Sequence, residues 1–167
     1  VYENALKNNN IPYYLVKGSG FYHCQEVLDI YNILQHIERG DSDIYLAGVL
    51  RSPFAGLMDE TLYRLSKNGD GMQRISKGFY NETDFRDYQS DERDKILNAR
   101  ELFTKWKGIK DRLTIAELIE VVLADTGYLA AIISTFQGEQ KAANIKKLIE
   151  MTRKFELEGN AAIRDFI

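Results

Sequence analysis

At 167 residues, with 44% hydrophobic and 28% charged side chains, the chain is long enough to bury roughly 70% of its unfolded surface as one domain. Its single cysteine, Cys24, excludes an internal disulfide or a cysteine-built zinc cage, and its longest apolar stretches, such as residues 115–123 and 128–133, fall far short of the roughly 20 residues a bilayer span needs, so a cytoplasmic, non-membrane protein is expected. A formal net charge of −3 argues against a nucleic-acid binder held by bulk electrostatics, and leaves only local contact with DNA open.

Residues 3–10 have the composition of a helix tail, stopped by three asparagines. Ile11-Pro12-Tyr13-Tyr14-Leu15-Val16 follows, aromatic and β-branched, and is the one strand the sequence predicts. After the Gly18-Ser19-Gly20 turn, Val27, Ile30, Tyr31, Leu34 and Ile37 recur at helical spacing up to Arg39-Gly40. A second helix starts near Asp41-Ser42, carries Leu46, Val49 and Leu50, and ends before Pro53, because the residue preceding a proline avoids the α region. A third follows Asp59, with Leu62 and Leu65 inward and Asn68-Gly69-Asp70-Gly71 as its terminator. Residues 72–90 read as a short helix and an irregular acidic connection.

From Asp91 a long stripe runs through Ile96, Ala99, Leu102, Phe103, Trp106 and Ile109. Thr114-Ile115-Ala116-Glu117 is a capping box and opens a new helix, in which Leu118, Val121 and Val122 point inward and Thr126-Gly127 forms the end. A short apolar helix is expected from Tyr128 to about Ser134, and an amphipathic one over residues 141–158 with Ile145, Leu148, Ile149, Thr152 and Phe155 inward. The apolar spacing of Ile163, Phe166 and Ile167 resembles an interrupted helix, and together with Val1 at the start it suggests an excised piece of a longer polypeptide. The fold class is therefore mainly α, an irregular array of about eight helices with at most one short N-terminal strand.

Charge is unevenly spread: residues 81–94 carry six acidic against two basic side chains, a net −4, whereas residues 141–154 carry five basic against one acidic, a net +4. Solvated faces are the plain reading of both, a functional basic face the sharper one. No window fits GxxxxGK[ST], the glycine-rich phosphate cradle with its Lys and its magnesium-binding hydroxyl. Asp59-Glu60 and Asp91-Glu92 have the composition of a magnesium box but follow turns, where acids at a helix start are favoured by the macrodipole. His23, Cys24 and Glu26 alone cluster the residue types of a thiol catalyst or metal site, and neighbours on a helix splay apart. Most of the ten tyrosines and eight phenylalanines are expected in the core.

The order Ile11-Pro12-Tyr13-Tyr14, Gly20-Phe21-Tyr22, Gln25-Glu26-Val27-Leu28-Asp29, then Leu50-Arg51-Ser52-Pro53 and Gly56-Leu57, resembles UvrD/Rep-like superfamily 1 DNA helicases in the region after motif IV. The segments Leu118-Ile119, Asp125-Thr126-Gly127-Tyr128, Gly138 through Leu148, and Phe155-Glu156 are more narrowly similar to the AddA-type subunit of bacterial ATP-dependent helicase-nucleases. The resemblance covers nearly all of the chain. It implies that residues 1–20 are an edge of the second RecA-like motor domain and residues 21–167 a helical subdomain of the 2B type, truncated at its C-terminal end. The implied parent is a 3′-to-5′ DNA helicase and exonuclease of double-strand-break repair and recombination, which uses ATP and magnesium bound elsewhere, and pairs with a second helicase-nuclease subunit. The segment itself is expected to hold no cofactor and no catalytic residue, and to orient duplex DNA or partner subunits.

In such relatives a Gly-hydrophobic-Gly turn meets duplex phosphates through backbone amides, and Gly56-Leu57-Met58 occupies that place, with methionine where the second glycine stands. The resemblance thus makes Arg51, Ser52 and Gly56 the candidate DNA contacts. It departs from the pattern again at Cys24, where relatives often carry a basic residue after the Phe-Tyr pair. A free-standing helical module that binds protein and no nucleic acid is the alternative that the acidic balance supports.

Overall fold

The computed structural model describes residues 20–40, 42–67, 74–159 and 162–166. The strand expected at residues 11–16, the motor-domain edge expected over residues 1–20 (Gly20 apart) and the glycine-rich terminator at residues 68–71 lie outside them. The described residues form nine α-helices and two 3-10 turns, with no strand among them. The helices are α1 (Gln25–Arg39), α2 (Asp43–Arg51), α3 (Asp59–Lys67), α4 (Ile75–Asn81), α5 (Ser90–Ile109), α6 (Ile115–Thr126), α7 (Tyr128–Ile133), α8 (Gly138–Leu157) and α9 (Ile163–Phe166). The array is mainly α, as the apolar spacing predicts. None of these helices is long and apolar enough to cross a membrane.

One hydrophobic core runs through the array. Ile30, Ile33, Leu34 and Ile37 of α1 bury against Leu46, Val49 and Leu50 of α2, and Phe103 and Trp106 of α5 and Leu118, Ile119 and Val122 of α6 join the same cluster. Leu102, Val121, Ile149 and Phe155, expected inward, are half-buried and pack on its edge. Gly78 of α4 sits where α4 crosses α3, and a methyl group there would overlap the backbone carbonyl of Leu65. The crossing is therefore set by a residue without a side chain. α8 begins three residues before its expected start, because Gln137 takes the left-handed conformation (φ 56°) and turns the chain straight into Gly138.

Helix starts are closed in two ways. The Thr114 hydroxyl accepts from the Glu117 amide while the Glu117 carboxylate accepts from the Thr114 amide, the local box the sequence shows. Carboxylates distant in sequence close three more places. Asp43 accepts from the amides of Ile75 and Ser76 at 3.0 Å, opening α4. Glu92 accepts from the amide of Met58 at 3.0 Å, just before α3, and Glu156 accepts from the amides of Ile115 and Ala116 at the start of α6. Each satisfies donors that the helix itself leaves open, and each ties two helices together.

Candidate nucleic-acid interface

The turn from α2 to α3 is built from the candidate residues. Arg51 ends α2, and its guanidinium meets both carboxylate oxygens of Asp59 at 3.0 Å, with both side chains 69% exposed. Ser52 points the other way: it is buried, its hydroxyl donates to the Val49 carbonyl at 2.8 Å and accepts from the Phe54 amide at 3.3 Å. Phe54 is buried and stacks on Tyr128 with ring centroids 4.3 Å apart, which fastens the turn to α7. Gly56 is exposed and left-handed (φ 64°), a conformation that strains any residue with a side chain.

The amides of this turn are committed within the chain. Those of Ala55 and Gly56 donate to the Ser52 carbonyl, at 3.1 and 2.8 Å, that of Leu57 to the Leu50 carbonyl at 2.9 Å, and that of Met58 to Glu92. What faces solvent is the Arg51 guanidinium, the bare backbone of Gly56 and the half-exposed Met58 side chain. The structure thus brings Arg51 and Gly56 to one surface and turns Ser52 inward.

Glu92 supports the turn from beneath. Its carboxylate, 2% exposed, accepts from the Thr61 hydroxyl at 2.5 Å and the Lys95 ammonium at 2.7 Å as well as from Met58. Burial pushes its pKa up, but these three donors outweigh burial and hold it below the ordinary 4.5. Beyond the turn, α3 exposes Tyr63, Arg64 and Lys67, and the Lys67 ammonium lies 5.2 Å from the Tyr63 ring centre. Facing them across a depression of about 440 Å³ are Glu82, Asp84 and Asp87 of the acidic connection. Arg86 bonds to Asp84 and holds its carboxyl down at about 2. A polyanion approaching α3 therefore meets a carboxylate wall on one side.

The cysteine cluster resolves into packing. His23 is exposed, whereas the Asn144 side-chain amide of α8 reaches Glu26 at 2.6 Å and the Cys24 sulfur at 3.6 Å, so a bridge from 118 to 120 residues away joins two side chains that helix geometry alone leaves apart. Among the described residues no three His, Cys, Asp or Glu side chains converge as a metal site. Two further polar groups escaped the sequence reading. The Tyr128 hydroxyl donates to Asp29 at 2.6 Å in the core, and His36 lies buried against the Tyr80 hydroxyl at 2.8 Å. Asp29 and His36 lie within a helix that the apolar spacing predicts, but that spacing says nothing of their pairing with Tyr128 and Tyr80.

The chain belongs to the UvrD-like helicase C-terminal domain family, which residues 1–166 match. Relatives include the AddA subunit of the ATP-dependent helicase/nuclease of Bacillus velezensis, 32% identical over 90% of this chain, and that of Ruminiclostridium cellulolyticum, 29% identical over all of it. The protein of the same name from Bacillus mycoides is 29% identical over 90%. The chain spans only 12 to 13% of these relatives' length.

Proposed function

We propose that this chain is a non-catalytic helical subdomain of an AddA-like DNA helicase-nuclease, and that it orients duplex DNA relative to a motor lying elsewhere in the polypeptide. The observation that carries this reading is the match along nine tenths or more of the chain to AddA subunits of ATP-dependent helicase/nucleases. In this reading ATP, magnesium and the nuclease chemistry belong to other parts of the parent, which works in the cytoplasm on double-strand breaks together with a second subunit. The DNA-facing element is the α2–α3 turn. Arg51 provides a guanidinium for phosphate, with Asp59 as the partner it exchanges, and Gly56 lets a backbone approach closely. Ser52 holds the turn's shape from within.

One observation favours the alternative, a protein-binding module without DNA contact: the turn amides are already bonded inside the chain and the Glu82–Asp87 side of α3 is acidic. A salt series separates the two readings. Binding of a tailed duplex by the full-length parent is followed by fluorescence anisotropy, with Arg51→Ala beside the unaltered protein. A DNA-facing turn lowers the slope of log affinity against log salt by about one on losing Arg51. An unchanged slope and affinity assign the surface to protein instead.

A further inference from the structure

We propose that the groove between α6, α7 and α8 seats an amphipathic helix from another part of the same polypeptide, an inference that rests on reading the chain as a domain of an AddA-like parent. The groove encloses about 500 Å³. Its floor is Leu123 and Ile145, both buried, and its walls are Ala124, Leu129, Ala142 and Ile149. Leu129 is 40% exposed and Ile133, one turn along α7, is 55% exposed, so the apolar surface continues past the groove as a ridge. Adjoining apolar side chains left open in this way are the kind of surface a packed partner covers. Alanines at two wall positions leave room for a second backbone to come close, the geometry of an amphipathic helix laid in a groove with anchors at positions i, i+4 and i+7.

The rim charges describe the occupant further. Glu120 of α6 and Arg153 of α8 pair with each other across one end. Lys146 and Glu150, one turn apart on α8, line the same rim, and neither makes an ion pair among the described residues. A helix carrying an acid level with Lys146 and a base level with Glu150 complements both. The relatives are roughly eight times the length of this chain, and a segment tethered in the same polypeptide meets the groove at high effective concentration.

The test uses the full-length parent with a photo-crosslinking phenylalanine analogue in place of Leu129. The expected result is a crosslink to one segment of the same polypeptide outside these 167 residues, with apolar side chains at i, i+4 and i+7. Ala142→Trp, which fills the groove, lowers its yield at least about tenfold. The paired exchange Lys146→Glu with Glu150→Lys keeps the composition, reverses the charge order and also lowers the yield, whereas Leu157→Glu, at an 88% exposed site off the groove, leaves it unchanged. A crosslink to a second subunit or to DNA, no crosslink, or a yield indifferent to the groove variants overturns the proposal. Unwinding of a tailed duplex by the same preparation reports on the parent's identity: unwinding without the crosslink overturns the groove assignment alone, and a parent that neither unwinds nor hydrolyses ATP overturns the reading beneath it.

Discussion

Glu92 and Asp29 are both helical carboxylates hidden from solvent, and the protein treats them in opposite ways. Glu92 lies under the α2–α3 turn among an ammonium, a hydroxyl and a backbone amide, and its pKa is lowered. Asp29 lies between α1 and α7 among a tyrosine hydroxyl and the Gln25 amide, and its pKa is raised, chiefly by burial and further by the charge of Glu26. Burial acts in the same direction on both. A nearby cation and an open amide before a helix turn the balance at Glu92, and neutral donors do not turn it at Asp29. The region around the turn is thus held by ionised contacts, whereas at the α1–α7 seam burial outweighs the two donors and favours the uncharged acid.

The largest test of this contrast is Glu92→Ala. It leaves the Met58 amide and the Thr61 hydroxyl without their acceptor and unfastens α3 from α5. A loss of about 4 kcal/mol is expected in urea unfolding, the scale of leaving two donors beneath the turn unpaired. Because the folded pKa is below 4.5, the ionised carboxylate stabilises above that pH, and the contribution fades as pH falls through the lower folded value. Glu92→Gln flattens that acid limb; an acid limb that stays as steep puts the ionised contact elsewhere.

His36 tests the other side of the contrast, since its partner is also a tyrosine hydroxyl. Burial, and then the charge of Lys107, lowers its pKa from 6.5 to about 4, and burial pushes the Tyr80 hydroxyl up to about 12. Lys107 donates to the Tyr80 oxygen at 3.0 Å, so the Tyr80 hydroxyl donates onward to His36 Nε2 and the ring is neutral when folded. The unfolded chain takes up a proton below 6.5 that the folded one refuses until about 4. Stability therefore declines by about 3 kcal/mol as pH falls across that window. His36→Gln is expected to remove the decline, read from unfolding midpoints between about pH 7 and pH 4. A wild-type protein equally stable at both ends overturns the assignment of a neutral buried ring.

These contacts mark the boundary of what the sequence discloses. Helix positions follow from apolar spacing, and the Thr114–Glu117 box is legible because its two halves stand three residues apart. Asp43, Glu92 and Glu156 look like ordinary surface acids, because the amides they close lie 32 to 41 residues away, and only the packed array brings them there. Ser52 shows the same limit at the candidate site. Beside an arginine and a glycine it has the residue type of a phosphate contact, yet the turn needs its hydroxyl inside, between Val49 and Phe54. Arg51 and Gly56 reach the surface because one ends a helix and the other takes a left-handed turn, and both features are visible in sequence.

The smallest expected effect is the sharpest check on the contrast. Asp29 has a folded pKa above 3.8, so the folded state keeps a proton that the unfolded state has released. Its stabilising share is present at low pH and is lost as pH rises through the folded value, the reverse of Glu92. Asn in its place keeps an oxygen to accept from Tyr128 or Gln25 and carries no charge to bury. Asp29→Asn is therefore expected to change stability at neutral pH by less than about 1 kcal/mol, and to gain stability relative to the unaltered protein as pH rises above 3.8. A loss as large as that of Glu92→Ala would show that the ionised form of Asp29 holds α1 to α7, and the distinction between the two regions would fail at its centre.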